Sequence, residues 1–339
     1  MKISVLGAGR WASCIAYCMD QKNYNVKMWE KKSDKENPLF LTGKNQFVEL
    51  SKNVTYTHDL AEAVKFGEVI FMSILSQKVD EFMQEIKQID GYQKKLYVLA
   101  MKGVEATTGR RLSEILIDNG VEKDNIAVFV GPGHVQSIYA GQPTNMIVSA
   151  YRERLAKVLI KLIGRKNKLD VAHSEDIIGT EIGAAAKNVI GIAAGILEGC
   201  GYEQKKGALM PAAVNEIGNF INAMGGDPKS SYGLAFLGDF QATLFDHNSK
   251  NLTFGKLVAE NKTVDKAVLS QFINVDSVEG IMTSYALIKK RDEFNARTSE
   301  QNELKMPITE AVADICSGKV PLENVGDYLS EKITEAIDL

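Results

Sequence analysis

Residues 2–6, Lys-Ile-Ser-Val-Leu, form a short apolar run that stops at Gly7, and Gly7-Ala8-Gly9-Arg10-Trp11-Ala12 leads from it into a helix-like stretch over residues 12–20. A strand, a G-x-G-x-x-A turn and a helix in that order leave few folds open. Gly7 permits the tight turn, Gly9 lets a pyrophosphate approach the backbone, and Ala12 keeps the helix close to the strand. The helix N-terminus then offers its amides to the phosphates. Glycines alone make ordinary turns too, but here an acidic residue, Glu30, follows about 20 residues further on, as a dinucleotide-binding unit requires. Glu30 suits the 2′-hydroxyl of NAD, whereas Lys31 and Lys32 directly after it suit the 2′-phosphate of NADP. A solvated turn accounts for the two lysines equally well, so the choice between NAD and NADP stays open.

The same apolar, β-branched run recurs at Val26–Trp29, Val69–Ser73, Leu96–Met101, Ile126–Val130 and Asn145–Ser149. Stretches long enough for crossover helices, such as Gln77–Gln88 and Gly109–Asp118, lie between them. This alternation predicts parallel βαβ units in a doubly wound sheet. Both faces of such a sheet are covered, hence continuous apolar runs in place of alternation. After about residue 170 the strand-like runs stop. Ile177–Glu198, 207–225 and 264–270 suit helices, Gly225-Gly226-Asp227-Pro228 is a break, Lys289–Glu303 is a polar loop or exposed helix, and Met306-Pro307-Ile308-Thr309 opens another helix. The expected architecture is α/β: a Rossmann-type doubly wound domain over residues 1–170, then an all-α domain over residues 171–339.

Composition narrows the function classes. Forty basic against forty-three acidic residues give a net charge of −3, which excludes a general nucleic-acid surface; an anionic ligand needs a local site. Four scattered cysteines without a CxxC pair predict neither a disulfide framework nor a metal site, and they suit a reducing compartment. The chain starts almost directly on a strand, with no signal peptide, so a cytoplasmic location is expected. The longest nearly uncharged run, Ile182–Leu197, carries a lysine and is too short for a membrane span.

That lysine, Lys187, needs an explanation. It stands between Ala184-Ala185-Ala186 and Asn188-Val189-Ile190-Gly191, where Gly183, Ala184, Gly191 and Gly195 would let neighbouring backbones come close. An unpaired buried ammonium costs several kcal/mol or loses its proton. Lys187 therefore meets an anion, lines a polar cleft or titrates near neutrality as a general acid/base; snorkelling to the helix edge is the competing reading. Lys102 follows a strand, at the edge of the sheet where ligands of open α/β folds bind. Gly131-Pro132-Gly133-His134 occupies the same rim after another strand.

Together these stretches resemble the NAD(P)-dependent glycerol-3-phosphate dehydrogenases. GAGRWASCIA is similar to the family's cofactor loop, AMKGVEATTGRRLSEIL to its A-T-K-G-L-E segment, and VGPGHVQSIYAGQPT to its S-G-P-T-F-A-x-E segment. GTEIGAAAKNVIGIAAGILEGCGY resembles its K-N helix, LAFLGDFQATLFDHNSKNLTFG its G-L-G-D…S-R-N-R-x-F-G stretch, and DSVEG and MPITEAV its later landmarks. The order holds over roughly residues 3–330.

The resemblance implies a helical domain like the C-terminal domain of 6-phosphogluconate dehydrogenase. It implies reversible reduction of dihydroxyacetone phosphate to glycerol 3-phosphate for phospholipid synthesis, with NAD or NADP as cofactor. Lys187 would be the general acid/base and Lys102 the substrate-orienting lysine, supported by Asn188, Asp239 and Thr243. Gly131, Gly133, Ser249, Lys250 and Asn251 would meet substrate; Arg10, Trp11, Ser13, Val135, Lys250 and Glu279 would lie along the cofactor beside Gly7, Gly9, Ala12, Glu30, Lys31 and Lys102. A homodimer through the helical half is the expected assembly.

The chain also departs from the family pattern. Lys250 replaces the phosphate-gripping arginine, Gly133 a hydroxyl residue, Ser137 an acid, Pro211 an arginine, Gln204 an asparagine and Leu75 a proline. Two other readings follow: a divergent member reducing another small keto or hydroxy substrate, and a dinucleotide-binding sensor without catalysis. Retention of Lys102, Lys187, Asn188 and Asp239 argues against the sensor.

Overall fold

The structure is a computed structural model describing residues 1–33, 37–164, 168–244 and 249–338. The chain forms two compact units, one of Met1–Lys102 with Leu112–Ile177, the other of Gly103–Arg111 with Ile178–Leu339.

The first unit is built on eight strands: β1 (Lys2–Leu6), β2 (Asn25–Trp29), β3 (Val54–Thr57), β4 (Val69–Met72), β5 (Leu96–Leu99), β6 (Ile126–Val130), β7 (Thr144–Ala150) and β8 (Leu169–Ser174). Their order is β3-β2-β1-β4-β5-β6-β7-β8. Pairings are parallel except β6 with β7, which is antiparallel. The doubly wound sheet is thus present, but all-parallel pairing does not extend to its far edge. Alternation of strands with helices does not encode strand direction. There the connection runs through the short helix Val135–Tyr139, and β8 then pairs in parallel with β7.

Two strands lie outside the expected set. β3, Val-Thr-Tyr-Thr, is an edge strand with one fully buried residue, and β8, Leu-Asp-Val-Ala-His-Ser, is likewise buried only at Leu169. Neither makes the continuous apolar run of β4 or β6, in which every residue is buried. The core of this unit gathers Ile3, Val5, Met28, Phe71, Val98 and Phe129 from the sheet against Ala12, Ile15 and Met19 of helix Arg10–Asp20.

The second unit packs around helix Ile177–Gly199. Its 23 residues exceed the sixteen-residue run marked in the sequence, and by length and composition it reaches bilayer dimensions; yet 89% of its most apolar window is buried inside the unit. Its glycines bring backbones into contact. A Cβ on Gly195 would stand 2.0 Å from the Leu252 carbonyl oxygen, and one on Gly255 2.1 Å from that of Ile192. Helix Lys250–Asn261 therefore lies directly on helix Ile177–Gly199, a separation only glycine allows.

The stretch Gly103–Arg111 joins this unit although it falls within the sequence of the first half. Val104 enters the helical core. Arg111 pairs with buried Glu181 at 2.9 Å, and Gly109 packs on Lys290. The expected helix Gly109–Asp118 accordingly begins only at Leu112. The polar stretch Lys289–Glu303 divides between the end of helix Glu279–Asn295 and a turn at Glu300–Asn302.

Candidate functional site

The strand order reverses at β1 and β4, the place where open α/β sheets bind ligands. Gly7 leaves β1 there with φ +121°, and a Cβ on it would meet the Ser73 carbonyl oxygen at 2.2 Å. Gly7 is thus demanded by the protein itself. Gly9 is not: a Cβ there would meet nothing within 4 Å. The space over Gly9 suits a group from outside the chain, which fits a pyrophosphate approaching the backbone. Gly9 is the N-cap of helix Arg10–Asp20, and among the described residues that end has no side-chain cap hydrogen bond. Ser13 hydrogen-bonds back to the Gly9 carbonyl at 2.9 Å. Ala12 is buried, Trp11 stacks on Phe129 at 5.8 Å, and Arg10 lies over the Phe47 ring.

At the end of β2 a cavity of about 620 Å³ is lined by Glu30, Lys31, Asn37, Phe40, Tyr56 and His58, among others. Asn37 Nδ2 donates to Glu30 Oε2 at 2.8 Å, while its Oδ1 caps helix Pro38–Thr42 by accepting from the Leu39 amide. The sequence reading missed Asn37. Its signal was the Asn-Pro pair, an N-cap followed by proline in the first turn.

At the rim after β5 and β6, Lys102 Nζ donates to the Gly131 carbonyl at 2.9 Å. Gly131, at φ +129°, lets its turn lie against the β7 backbone at Met146. A Cβ on Gly133 would stand 2.4 Å from Met146 Sδ, and the Gly133 amide donates to that sulfur at 3.1 Å. Methionine from the antiparallel strand thus fills the place next to which the family carries a hydroxyl. Val135 opens the helix that follows, with no side-chain cap before it.

In the helical unit, Lys187 is 12% exposed and faces Asp239 Oδ1 at 3.4 Å, with Asp239 4% exposed. Its Nζ donates to Thr243 Oγ1 at 3.1 Å, and that hydroxyl donates to the Asp239 carbonyl at 2.8 Å. A π-helical turn, Leu234–Gly238, delivers Asp239 to the start of helix Asp239–Leu244. Such turns break the helical register and so re-aim side chains. Asn188, next to Lys187, donates to Glu279 Oε2 at 3.2 Å and accepts from Asn251 Nδ2 at 3.0 Å. Asn251 Oδ1 accepts from the Gly280 amide at 2.9 Å. Lys187, Asn188, Asp239, Thr243, Asn251 and Glu279 are thereby brought together from four helices. Ser249 caps helix Lys250–Asn261, and Lys250 in its first turn is exposed. Of the departures, Pro211 sits inside helix Lys206–Ala223 and Leu75 is exposed.

Residues 2–156 match the family described as NAD-dependent glycerol-3-phosphate dehydrogenase N-terminus, and residues 176–327 match its C-terminus. The chain is 30% identical over 334 residues to a glycerol-3-phosphate dehydrogenase (NAD(P)+) of Staphylococcus carnosus (strain TM300), covering 95% of each. It is 31% identical over 335 residues to that of Prosthecochloris aestuarii (strain DSM 271 / SK 413), covering 96% of each. Its fold is similar to a glycerol-3-phosphate dehydrogenase structure from Coxiella burnetii, with a TM-score of 0.84 at 24% identity over 100% of this chain and 99% of that one.

Proposed function

The chain belongs to the NAD-dependent glycerol-3-phosphate dehydrogenase family, and on that premise we propose that it reversibly reduces dihydroxyacetone phosphate to sn-glycerol 3-phosphate with NAD(H) or NADP(H). The observation that carries the reading is the setting of Lys187. An ammonium has three donor positions. Thr243 takes one and Asp239 faces another, so among the described residues a third is left for a substrate oxygen.

Reduction of a ketone needs a hydride at carbon and a proton at oxygen. The bound reduced dinucleotide supplies the hydride. Lys187 donates the proton to the developing alkoxide and, as an amine, takes it back in the reverse direction. Asp239 attracts and orients the ammonium. Asn188 fixes the helix turn beside it through Glu279 and Asn251. Lys102, whose charge lies at the strand-end rim, would polarise the carbonyl. Ser249, Lys250 and Asn251 would hold the phosphate, with Lys250 as a point charge in place of an arginine fork.

Both reactants are charged and phosphorylated, which suits a cytoplasmic enzyme, and the product is a backbone for glycerophospholipids. One observation favours a second reading, a divergent substrate: Met146 presses on Gly133 at the rim, where the family has a hydroxyl. Following the absorbance of NADH or NADPH on addition of dihydroxyacetone phosphate tests the proposal. Oxidation of either dinucleotide supports it. Absence of oxidation with both, alongside turnover of another small ketone, moves the chain to the second reading.

A further inference from the structure

Gly183 and Gly191 stand four residues before and four residues after Lys187, one helical turn away on either side and on the same helix face. Glycine weakens a helix interior relative to alanine, so its use here calls for a neighbour that needs the room. At Gly183 that neighbour is the π-helical turn Leu234–Gly238. A Cβ on Gly183 would stand 3.0 Å from Phe236 Cβ, 3.5 Å from its amide nitrogen and 3.6 Å from its Cα. These atoms lie at the root of the residue, where no side-chain rotation moves them aside. Phe236 is fully buried and stacks on buried Phe240 with ring centroids 6.3 Å apart. The Gly238 amide donates to the Gly233 carbonyl at 3.1 Å, a bond spanning five residues that closes the turn directly before Asp239. On the other side of Lys187, a Cβ on Gly191 would lie 3.6 Å from Thr243 Cγ2 and 3.3 Å from Asn251 Cβ. The segment carrying Asp239 and Thr243 therefore seats on the lysine's helix at the two glycines that flank the lysine.

We propose that Gly183 is a positioning residue: by letting the π-helical turn seat against helix Ile177–Gly199, it sets the depth at which Asp239 meets Lys187. Its catalytic consequence rests on the function proposed above; its geometry does not. Asp239 Oδ1 lies 3.4 Å from Lys187 Nζ, and Thr243 Oγ1 accepts from the same nitrogen at 3.1 Å. The Thr243 hydroxyl is bonded to the Asp239 carbonyl, so the two partners of Lys187 move together. Comfortable carbon contacts lie at roughly 3.5–4 Å, so a Cβ at residue 183 displaces Phe236 by about 0.5–1 Å, and Asp239 follows it three residues on. Groups that act on a substrate need placement within about 0.5 Å. A misplacement of about 1 Å costs up to about a hundredfold in rate.

Gly183→Ala is the test, read by crystallography and by steady-state kinetics with dihydroxyacetone phosphate and whichever dinucleotide the wild-type chain oxidises. The crystal structure should show Lys187 Nζ and Asp239 Oδ1 parted beyond the roughly 4 Å of an ion pair. An unchanged distance overturns the proposal whatever the kinetics. kcat should fall at least about tenfold while both Michaelis constants stay within about twofold, because the change acts on the reacting group and not on substrate binding. A double-variant cycle separates positioning from general loosening. In an Asp239→Asn background the same glycine change should lower kcat by less than about twofold, since the charge it displaces is already gone. A full further loss there overturns the proposal, as does wild-type kcat in Gly183→Ala. If Gly183→Ala does not fold, Phe236→Leu loosens the same turn from the opposite side, and its loss of kcat should likewise disappear in the Asp239→Asn background; a loss that persists there overturns the proposal. A wild-type chain that oxidises neither NADH nor NADPH with dihydroxyacetone phosphate removes the proposed reaction, and the Lys187–Asp239 distance in the variant then decides this inference by itself.

Discussion

Replacing Gly195 with alanine sets two effects of opposite sign against each other. Gly195 lies within helix Ile177–Gly199, and on helix propensity alone alanine there should stabilise by about 1 kcal/mol. The new Cβ, however, would stand 2.0 Å from the Leu252 carbonyl oxygen and 2.9 Å from both the Leu252 carbonyl carbon and the Lys256 amide nitrogen. Comfortable carbon contacts lie at roughly 3.5–4 Å, so the two helices must part by at least about 1 Å. Backbone atoms cannot rotate out of the way as a side chain can. The separation is also locked elsewhere, since Gly255 meets Ile192 and Gly199 meets Lys256 across the same seam. Overpacking costs about 1–3 kcal/mol, and the rigid seam places this case at the upper end, for a net loss of about 1–2 kcal/mol. That lowers the melting temperature by roughly 2–8 °C for a unit of this size. The displaced helix also carries Ser249, Lys250 and Asn251 at its start, and Asn251 ties Asn188 to Gly280. The Michaelis constant for dihydroxyacetone phosphate should therefore rise as the melting temperature falls. Thermal unfolding followed by circular dichroism, together with steady-state kinetics, checks both. A Gly195→Ala protein that melts at or above the wild-type temperature would refute the close-packed seam.

Three other perturbations test separate parts of the molecule. Lys187→Ala should lower kcat by about 10²–10⁴-fold and leave NADH binding nearly unchanged, because Lys187 acts on the substrate oxygen; an active variant removes it from the chemistry. Lys250→Arg should lower the Michaelis constant for the phosphorylated substrate by supplying a bidentate donor, and an unchanged or raised value would mean that residue 250 does not hold phosphate. Glu216 is buried beneath the start of helix Pro307–Cys316, and desolvation pushes its carboxyl up to about 7 against hydrogen bonds from Thr309 and the Ile308 amide. With the folded pKa above the ordinary 4.5, the folded chain keeps a proton that the unfolded chain releases between those values. Stability should therefore fall as pH rises through that window, by up to about 3 kcal/mol. Denaturant titrations from pH 5 to pH 8 should show this slope flattened in Glu216→Gln, and an identical slope would assign the dependence to other groups.

What could be read from the chain follows the range over which each feature is encoded. The turn at Gly7 and the strands buried on both faces are local matters of a few consecutive residues, and they stand where the residue pattern puts them. β3 and β8 escape because an edge strand buries only part of its surface, so partial exposure in Thr55-Tyr56-Thr57 looks like a loop. The direction of β7 is set by how the chain returns after Tyr139, which no local period records. The same limit runs through the site. Lys187 stands out in its own helix because a charge among alanines is a local contradiction, but its partners Asp239 and Thr243 lie more than fifty residues away and enter only through the family resemblance. Gly133 makes the point from the other side. In the sequence it is a missing hydroxyl and therefore a loss; in the fold, Met146 from the antiparallel strand occupies the space a side chain would need. The two positions must change together, so restoring a hydroxyl residue at 133 without shrinking residue 146 should disturb the rim rather than repair it.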